Sequence, residues 1–200
     1  MVAATQSLSK NKILEERLFT IEEYFKKEEK SLHKHEYHAG KIVRMAGAKF
    51  TYNQLAARVM QFTLNFIEEF NLEFELGTSD SKIWIDEFSK VLYPDAVIIS
   101  QKPEYYNNDG MTILNPLLIV EILSSSTQKH DRTTKFEIYR TVPSFKEYVL
   151  VNEDMPRVTV WTKQDNGSWL PKDYKTIEAV AILKTINNCP ISLERLYRNI

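Results

Sequence analysis

The sequence predicts an α/β protein built on a mixed sheet, and three observations point there. Apolar Leu55, Val59, Phe62, Phe66 and Phe70 recur at spacings of four, three, four and four, one stripe of a helix. Two short runs of branched aliphatics, DAVIIS and LLIVEILS, have the composition of strands buried on both faces. Helical and strand-like segments also alternate along the chain without an internal repeat, low-complexity tract or Pro/Ser-rich linker. A length of 200 residues suits one domain with a sizeable core. The expected layout is a flexible leader over residues 1–18, where no apolar period is sustained, and a single domain over 19–200.

Taken in order, Thr20 with Glu23 forms a capping-box pattern that opens a short helix from 21 to about 30. HEYHAGKIVRMAG reads as two strands turning at Ala39-Gly40, and this hairpin carries Glu36. The long helix spans about 51–70. Strands follow at FELGT, SKIWI, DAVIIS and LLIVEILS, the last two central. After the polar SSST comes a helical segment over roughly 129–141, ended because Pro143 disfavours helix at Val142. EYVLVNE is a strand, and PRVTVWTKQ and SWLPKDY form a hairpin about Asp165-Asn166-Gly167. ISLERLY closes the chain as a short helix started by Ser192.

Composition excludes several chemistries. The 5 glycines lack the spacing of a dinucleotide fingerprint or P-loop. Cys189, the 1 cysteine, forms neither an internal disulfide nor a Cys-rich zinc site, and no G-x-S-x-G elbow is present. No signal peptide is legible, and LLIVEIL is far too short to cross a membrane, so a cytoplasmic protein without membrane association is expected. A net charge of -1 supplies no global basic footprint for nucleic acid.

Glu121 is the most informative residue. Alternation in LLIVEILS puts Ile119, Glu121 and Leu123 on one face and Leu118, Val120 and Ile122 on the other, so a carboxylate lies amid aliphatics. Burying it unpaired costs several kcal/mol, which demands a cation, a proton or a partner. An ion pair with a neighbouring Lys or Arg would satisfy it. So would a metal shared with Asp95, which follows Pro94 at the mouth of the adjacent aliphatic strand, because paired carboxylates suit Mg²⁺ or Mn²⁺. Lys135 shares a helix side with Asp131 and Tyr139, which directs it either toward the sheet or into a solvent-exposed pair with Asp131. The three histidines of HKHEYH read as solvated surface rather than a zinc site, and Asp80 and Lys82, alternating on one strand, either border the cleft or form an exposed cross-strand pair.

Tyr93-Pro94-Asp95 before an aliphatic strand, then NPLLIVEILSSST, then DRTTKFEIYRTVPSFKEYVLV, resemble the Uma-two putative restriction endonuclease family, a branch of the PD-(D/E)XK nucleases. The similarity runs from about Phe19 to Tyr197. It implies a restriction-endonuclease-like mixed β-sheet core flanked by helices, with additional β-hairpins, and a metal-dependent endonuclease acting on DNA. Residue by residue, it implies that Asp95 and Glu121 bind Mg²⁺ or Mn²⁺, with the Ile122 carbonyl as a further ligand. Leu123 stands where the usual lysine of the E-x-K element is expected, and its role passes to Lys135 on the next helix. Glu36 matches the acidic residue supplied by an N-terminal element. Three departures stand out: Ser125 for a common Pro, Ala39-Gly40 for Asn-Gly or Asp-Gly, and Asn53 where relatives often have His.

Charge divides the surface. From Phe66 to Asp95 eight acids oppose Lys82 and Lys90, a balance of -6 that repels phosphate. From Lys129 to Arg140 the balance is +2, and Lys129, Arg132 and Arg140 form the expected phosphate-facing edge. A homodimer would double that footprint. The competing expectation is a nuclease-fold binding or scaffold module with little or no turnover.

Overall fold

The computed structural model describes residues 17–125 and 130–200. All but the last two positions of the expected leader therefore lie outside the described residues. The chain folds as an α/β arrangement of mixed sheets with flanking helices. A six-stranded sheet contains β3 (Phe74–Thr78), β6 (Ala96–Ser100), β8 (Leu118–Leu123), β9 (Glu147–Asn152), β10 (Val158–Lys163) and β11 (Trp169–Tyr174). Its order is β11-β10-β9-β8-β6-β3, with β8 and β9 parallel and every other neighbour antiparallel. A five-stranded sheet orders β2 (Lys41–Arg44), β1 (His35–His38), β5 (Lys90–Leu92), β4 (Lys82–Ile85) and β7 (Thr112–Ile113). β12 (Val180–Leu183) and β13 (Cys189–Ser192) pair by themselves.

All six residues of β8 are buried because both of its faces are covered. Leu118, Val120 and Ile122 share a core with Leu55, Val59 and Ile67 of α2 (Phe50–Glu69), with β12 and β13, and with Leu193 and Leu196 of α4 (Leu193–Leu196). Ile119 and Leu123 point the other way, against Ile83, Ile85 and Leu92 of the smaller sheet and the aromatic side of α3 (Phe136–Tyr139). A third cluster packs α1 (Ile21–Glu28) on the outer face of that smaller sheet through Tyr24, Tyr37 and Val91.

Local chemistry sets the ends of these elements. Thr20 and Glu23 cap α1 reciprocally, and the Ser192 hydroxyl accepts from the Arg195 amide to start α4. Ala39 and Gly40 link β1 to β2 with φ of 47° and 94°, the paired left-handed conformations of a tight hairpin turn. Among the described residues no helix is long and apolar enough to cross a membrane.

The structure corrects several expectations. The buried stripe of α2 is Leu55, Val59, Thr63 and Ile67, with Phe62 and Phe66 on its flank and Phe70 exposed beyond the last turn. Thr63 joins this stripe because its hydroxyl donates to the Val59 carbonyl at 2.9 Å, leaving no polar group unsatisfied. His35 is buried rather than solvated, its ring held 2.9 Å from Glu28, although His33 is exposed. Asp80 lies in the turn before β4 and pairs with Lys34 at 2.5 Å, while Lys82 is buried on the strand. The segment expected over 129–141 is helical from 130, a π-helical turn (Asp131–Lys135) running into α3, and Lys129 lies outside the described residues.

Ala39 bears a Cβ in a backbone region that costs an L-residue about 1–2 kcal/mol and that Asn tolerates. The side chain is exposed and nothing in the core depends on it. Ala39→Asn is therefore expected to stabilise the fold by roughly 0.5–1 kcal/mol, and Ala39→Val to destabilise it. Urea midpoints with unchanged slopes are the measurement.

Candidate functional site

The site begins where β6 enters the sheet. β6 and β8 pair Ala96 with Val120, and the Asp95 amide continues the ladder by donating to the Val120 carbonyl at 3.1 Å, which sets Asp95 beside Glu121. The Asp95 side chain turns back onto β8. Its Oδ2 accepts from the Ile122 amide at 2.7 Å and from the Tyr52 hydroxyl, in the first turn of α2, at 2.6 Å. Glu121 sits between Ile119 and Leu123 on the same strand face and is 2% exposed.

Lys135 answers the buried carboxylate. Its Nζ donates to Glu121 Oε1 at 2.9 Å and lies 3.7 Å from Asp131 Oδ1 and 3.9 Å from Glu36 Oε1. The Tyr139 hydroxyl donates to the same Glu121 oxygen at 3.3 Å. Asp131, Lys135 and Tyr139 thus form one stripe turned toward the sheet, and the solvent-exposed pairing of Lys135 is overturned: both it and Asp131 are buried. The Tyr148 hydroxyl, donating to the Asp131 carbonyl at 3.0 Å, ties the π-helical turn to β9. From the smaller sheet, Glu36 enters the cluster and is bonded to the His38 ring at 3.0 Å.

Four carboxylates, Glu36, Asp95, Glu121 and Asp131, surround a single buried ammonium. Burial drives Glu121 well above the ordinary carboxylate range; Lys135 opposes the shift, and the charges of Asp95 and Asp131 reinforce it. Burial also raises Asp95 despite its two donors. For Glu36 burial acts upward, but the His38 bond and Lys135 prevail and hold it below its usual value. Burial would strip Lys135 of its proton, yet Glu121 and Asp131 outweigh it and keep the side chain charged. The phenol of Tyr52 is pushed far up by burial and by Asp95, so it acts as a donor.

Among the described residues no three His, Cys, Asp or Glu side chains are arranged as a ready-made metal cage. The donor set fits a different kind of site. Two carboxyl groups on adjacent strands, within a cluster that has more acids than cations, match a hard divalent cation that keeps part of its water.

All four residues singled out from the sequence, Glu36, Asp95, Glu121 and Lys135, come together. The basic edge does not join them: Arg140 is exposed and paired with Glu137 at 3.1 Å, Arg132 is half-buried in the field of Arg157 and Asp173, and Lys129 is outside the described residues. Asn53 is exposed in the first turn of α2. Sequence reasoning missed Tyr52, read His38 as solvated surface, and weighed Asp131 and Tyr139 only as helix neighbours. The spacing of Asp131, Lys135 and Tyr139 was the available signal; for Tyr52 there was none.

The chain resembles known proteins in sequence and in fold. Residues 21–193 match the Uma2 family, described as putative restriction endonuclease. The chain is 34% identical over 154 residues to uncharacterized protein sll1609 of Synechocystis sp. (strain ATCC 27184 / PCC 6803 / Kazusa), covering 77% of this chain and 86% of that one. It is 30% identical over 179 residues to slr1290 of the same organism, covering 90% and 91%. The crystal structure of a putative nuclease belonging to DUF820 from Anabaena variabilis superimposes with a TM-score of 0.70 at 13% identity, over 90% of this chain and 97% of that chain. That likeness shows the shared fold.

Lys135→Met, which keeps the stem and deletes the charge, leaves buried carboxylates without their cation. Removing one partner of such a cluster costs about 3–5 kcal/mol at neutral pH. Glu121 is already raised above its ordinary 4.5, and loss of Lys135 raises it further. A carboxyl raised in the folded state stabilises below its unfolded pKa and loses that contribution as pH climbs through the folded value. The deficit of the variant is therefore expected to be small near pH 4.5 and to grow toward pH 8 in denaturation curves; a deficit independent of pH contradicts the assignment.

Proposed function

The chain belongs to the Uma2 family of putative restriction endonucleases, and on that premise we propose that it is a metal-dependent endonuclease hydrolysing DNA phosphodiester bonds. The observation that carries this reading is the set of four carboxylates about Lys135, with Glu36, Glu121 and Asp131 buried and Asp95 half-buried, more acids than one ammonium can pair.

Asp95 and Glu121 would hold Mg²⁺ or Mn²⁺. The bound ion supplies a water of lowered pKa and charge neutralisation at the phosphate. Lys135, whose ammonium stays protonated among its acids, hydrogen-bonds a non-bridging phosphate oxygen and offsets the charge developing there. Glu36, held ionised and tied to His38, orients the attacking water on the side of the cluster formed by the smaller sheet. In-line attack then leaves a 5′-phosphate and a 3′-hydroxyl. Arg132 and Arg140, away from the cluster, would contribute phosphate contacts, and a homodimer would extend them.

A binding or scaffold module with little turnover is the second reading. It is favoured by Glu68, Glu69, Glu73, Glu75, Asp80, Asp86 and Glu87, all exposed, a run of acids that repels phosphate.

Two measurements on the same proteins separate these readings. Mn²⁺ is expected to raise the melting temperature of the wild type, because only the folded chain holds both ligands together, and Glu121→Gln is expected to abolish the rise. Lys135→Ala should keep the Mn²⁺ response yet lose most cleavage, ten-fold for each ~1.4 kcal/mol of transition-state stabilisation removed. Equal inertness of folded wild type and Asp95→Asn on linear, supercoiled, branched and single-stranded DNA would establish the binding module instead.

A further inference from the structure

We propose that Tyr52 is the positioning residue of the carboxylate Asp95, and that the first turn of α2 is the element that presets the metal site; this rests on the reading of Asp95 and Glu121 as metal ligands. Two donors meet on one oxygen, Asp95 Oδ2: the Ile122 amide at 2.7 Å and the Tyr52 hydroxyl at 2.6 Å. A single donor fixes where an oxygen lies. Two donors from different elements also fix how the carboxylate plane is turned, and they leave Oδ1 as the oxygen that neither takes.

The surroundings of Tyr52 show why it holds still enough to do this. Lys49, at the N-cap of α2, makes no side-chain capping bond. The turn is secured from below instead. The hydroxyl of Thr51 donates to Glu153 Oε1 at 2.7 Å, and Glu153, itself buried, follows the last residue of β9 and donates its amide to the Leu123 carbonyl. Consecutive residues of one helical turn therefore reach acids at the ends of two strands: Tyr52 to Asp95 at β6, Thr51 to Glu153 at β9. Between those strands lies β8, which carries Glu121. The first turn of α2 bridges the strand of one ligand and grips the other.

Such outer contacts matter because a ligand already oriented by the fold loses little freedom when the cation arrives. Removing an outer partner of a ligating side chain typically costs 10–100-fold in metal affinity. A tyrosine that merely fills space would cost stability and leave metal affinity alone.

The test is Mn²⁺ binding without DNA, read from the paramagnetic resonance signal of free Mn²⁺ and from the Mn²⁺ dependence of the melting temperature. Tyr52→Phe deletes only the hydroxyl; Tyr174→Phe deletes a phenol oxygen that accepts from the Ile182 amide and serves as the control. Tyr52→Phe is expected to need roughly ten-fold more Mn²⁺ for half-saturation and to regain cleavage when Mn²⁺ is saturating. Tyr174→Phe is expected to bind as the wild type does, whatever its melting temperature. Thr51→Val, which leaves Tyr52 and Asp95 in place, should weaken Mn²⁺ in the same direction, and Thr51→Ser should restore it. Should Tyr52→Phe fail to fold, the Thr51 pair decides alone. Wild-type half-saturation in Tyr52→Phe, or in Thr51→Val where that pair decides, overturns the proposal while the metal reading stands. A wild type that binds no Mn²⁺ overturns both.

Discussion

A carboxylate in the middle of a strand covered on both faces is the constraint around which this protein is arranged. Glu121 cannot be left charged and alone among Ile119, Leu123 and their neighbours. Its position on β8 is fixed by the two-residue period of a strand whose alternate side chains serve two different cores. Every element near it supplies compensation or geometry: β6 brings Asp95, β1 brings Glu36, and the turn before α3 brings Lys135 and Asp131. Carboxyl groups outnumber the one ammonium there, which separates the cluster from a buried ion pair.

The sheet topology accounts for the source of the lysine. β8 and β9 are parallel, so the chain between them cannot turn back as a hairpin and must cross over a face of the sheet. That crossover includes the helical segment carrying Lys135, laid against the face from which Glu121 projects. At the position two residues after Glu121, Leu123 is spent on the core it shares with Phe136 and Tyr139. Cation and aliphatic packing are thereby divided between two elements.

Much of this was legible in the sequence because it depends on short-range periodicity. Alternation placed Glu121 on its face, a capping box began α1, and the two aliphatic runs are interior strands of the larger sheet, as their composition implied. Lys135 was harder: helical spacing allowed either an inward or an outward orientation, and only the family resemblance chose. Tyr52 escaped altogether. It lies 43 residues from Asp95, and nothing in the local pattern of an amphipathic helix distinguishes a phenol aimed at a carboxylate from one packed on the core. The short strands β5 and β7 escaped for a related reason, since runs of three and two residues carry no period. Phe70 misled because a hydrophobic stripe extrapolates past the point where the helix stops, and His35 because its partner Glu28 lies on another element.

The π-helical turn from Asp131 to Lys135 has a consequence for how this chain can change length. An α-helix closes in 3.6 residues, and a wider turn accommodates more backbone before the next side chain faces the same way. These five residues form such a wider turn, and the Tyr148 hydroxyl holds it at the Asp131 carbonyl. Surface connections commonly tolerate the gain or loss of a residue over evolutionary time. Here the loss of one residue would tighten the turn into an ordinary helix and leave Asp131 and Lys135 three residues apart, still on one face. The wider turn is thereby a place where the chain could lose a residue and keep its buried pair facing.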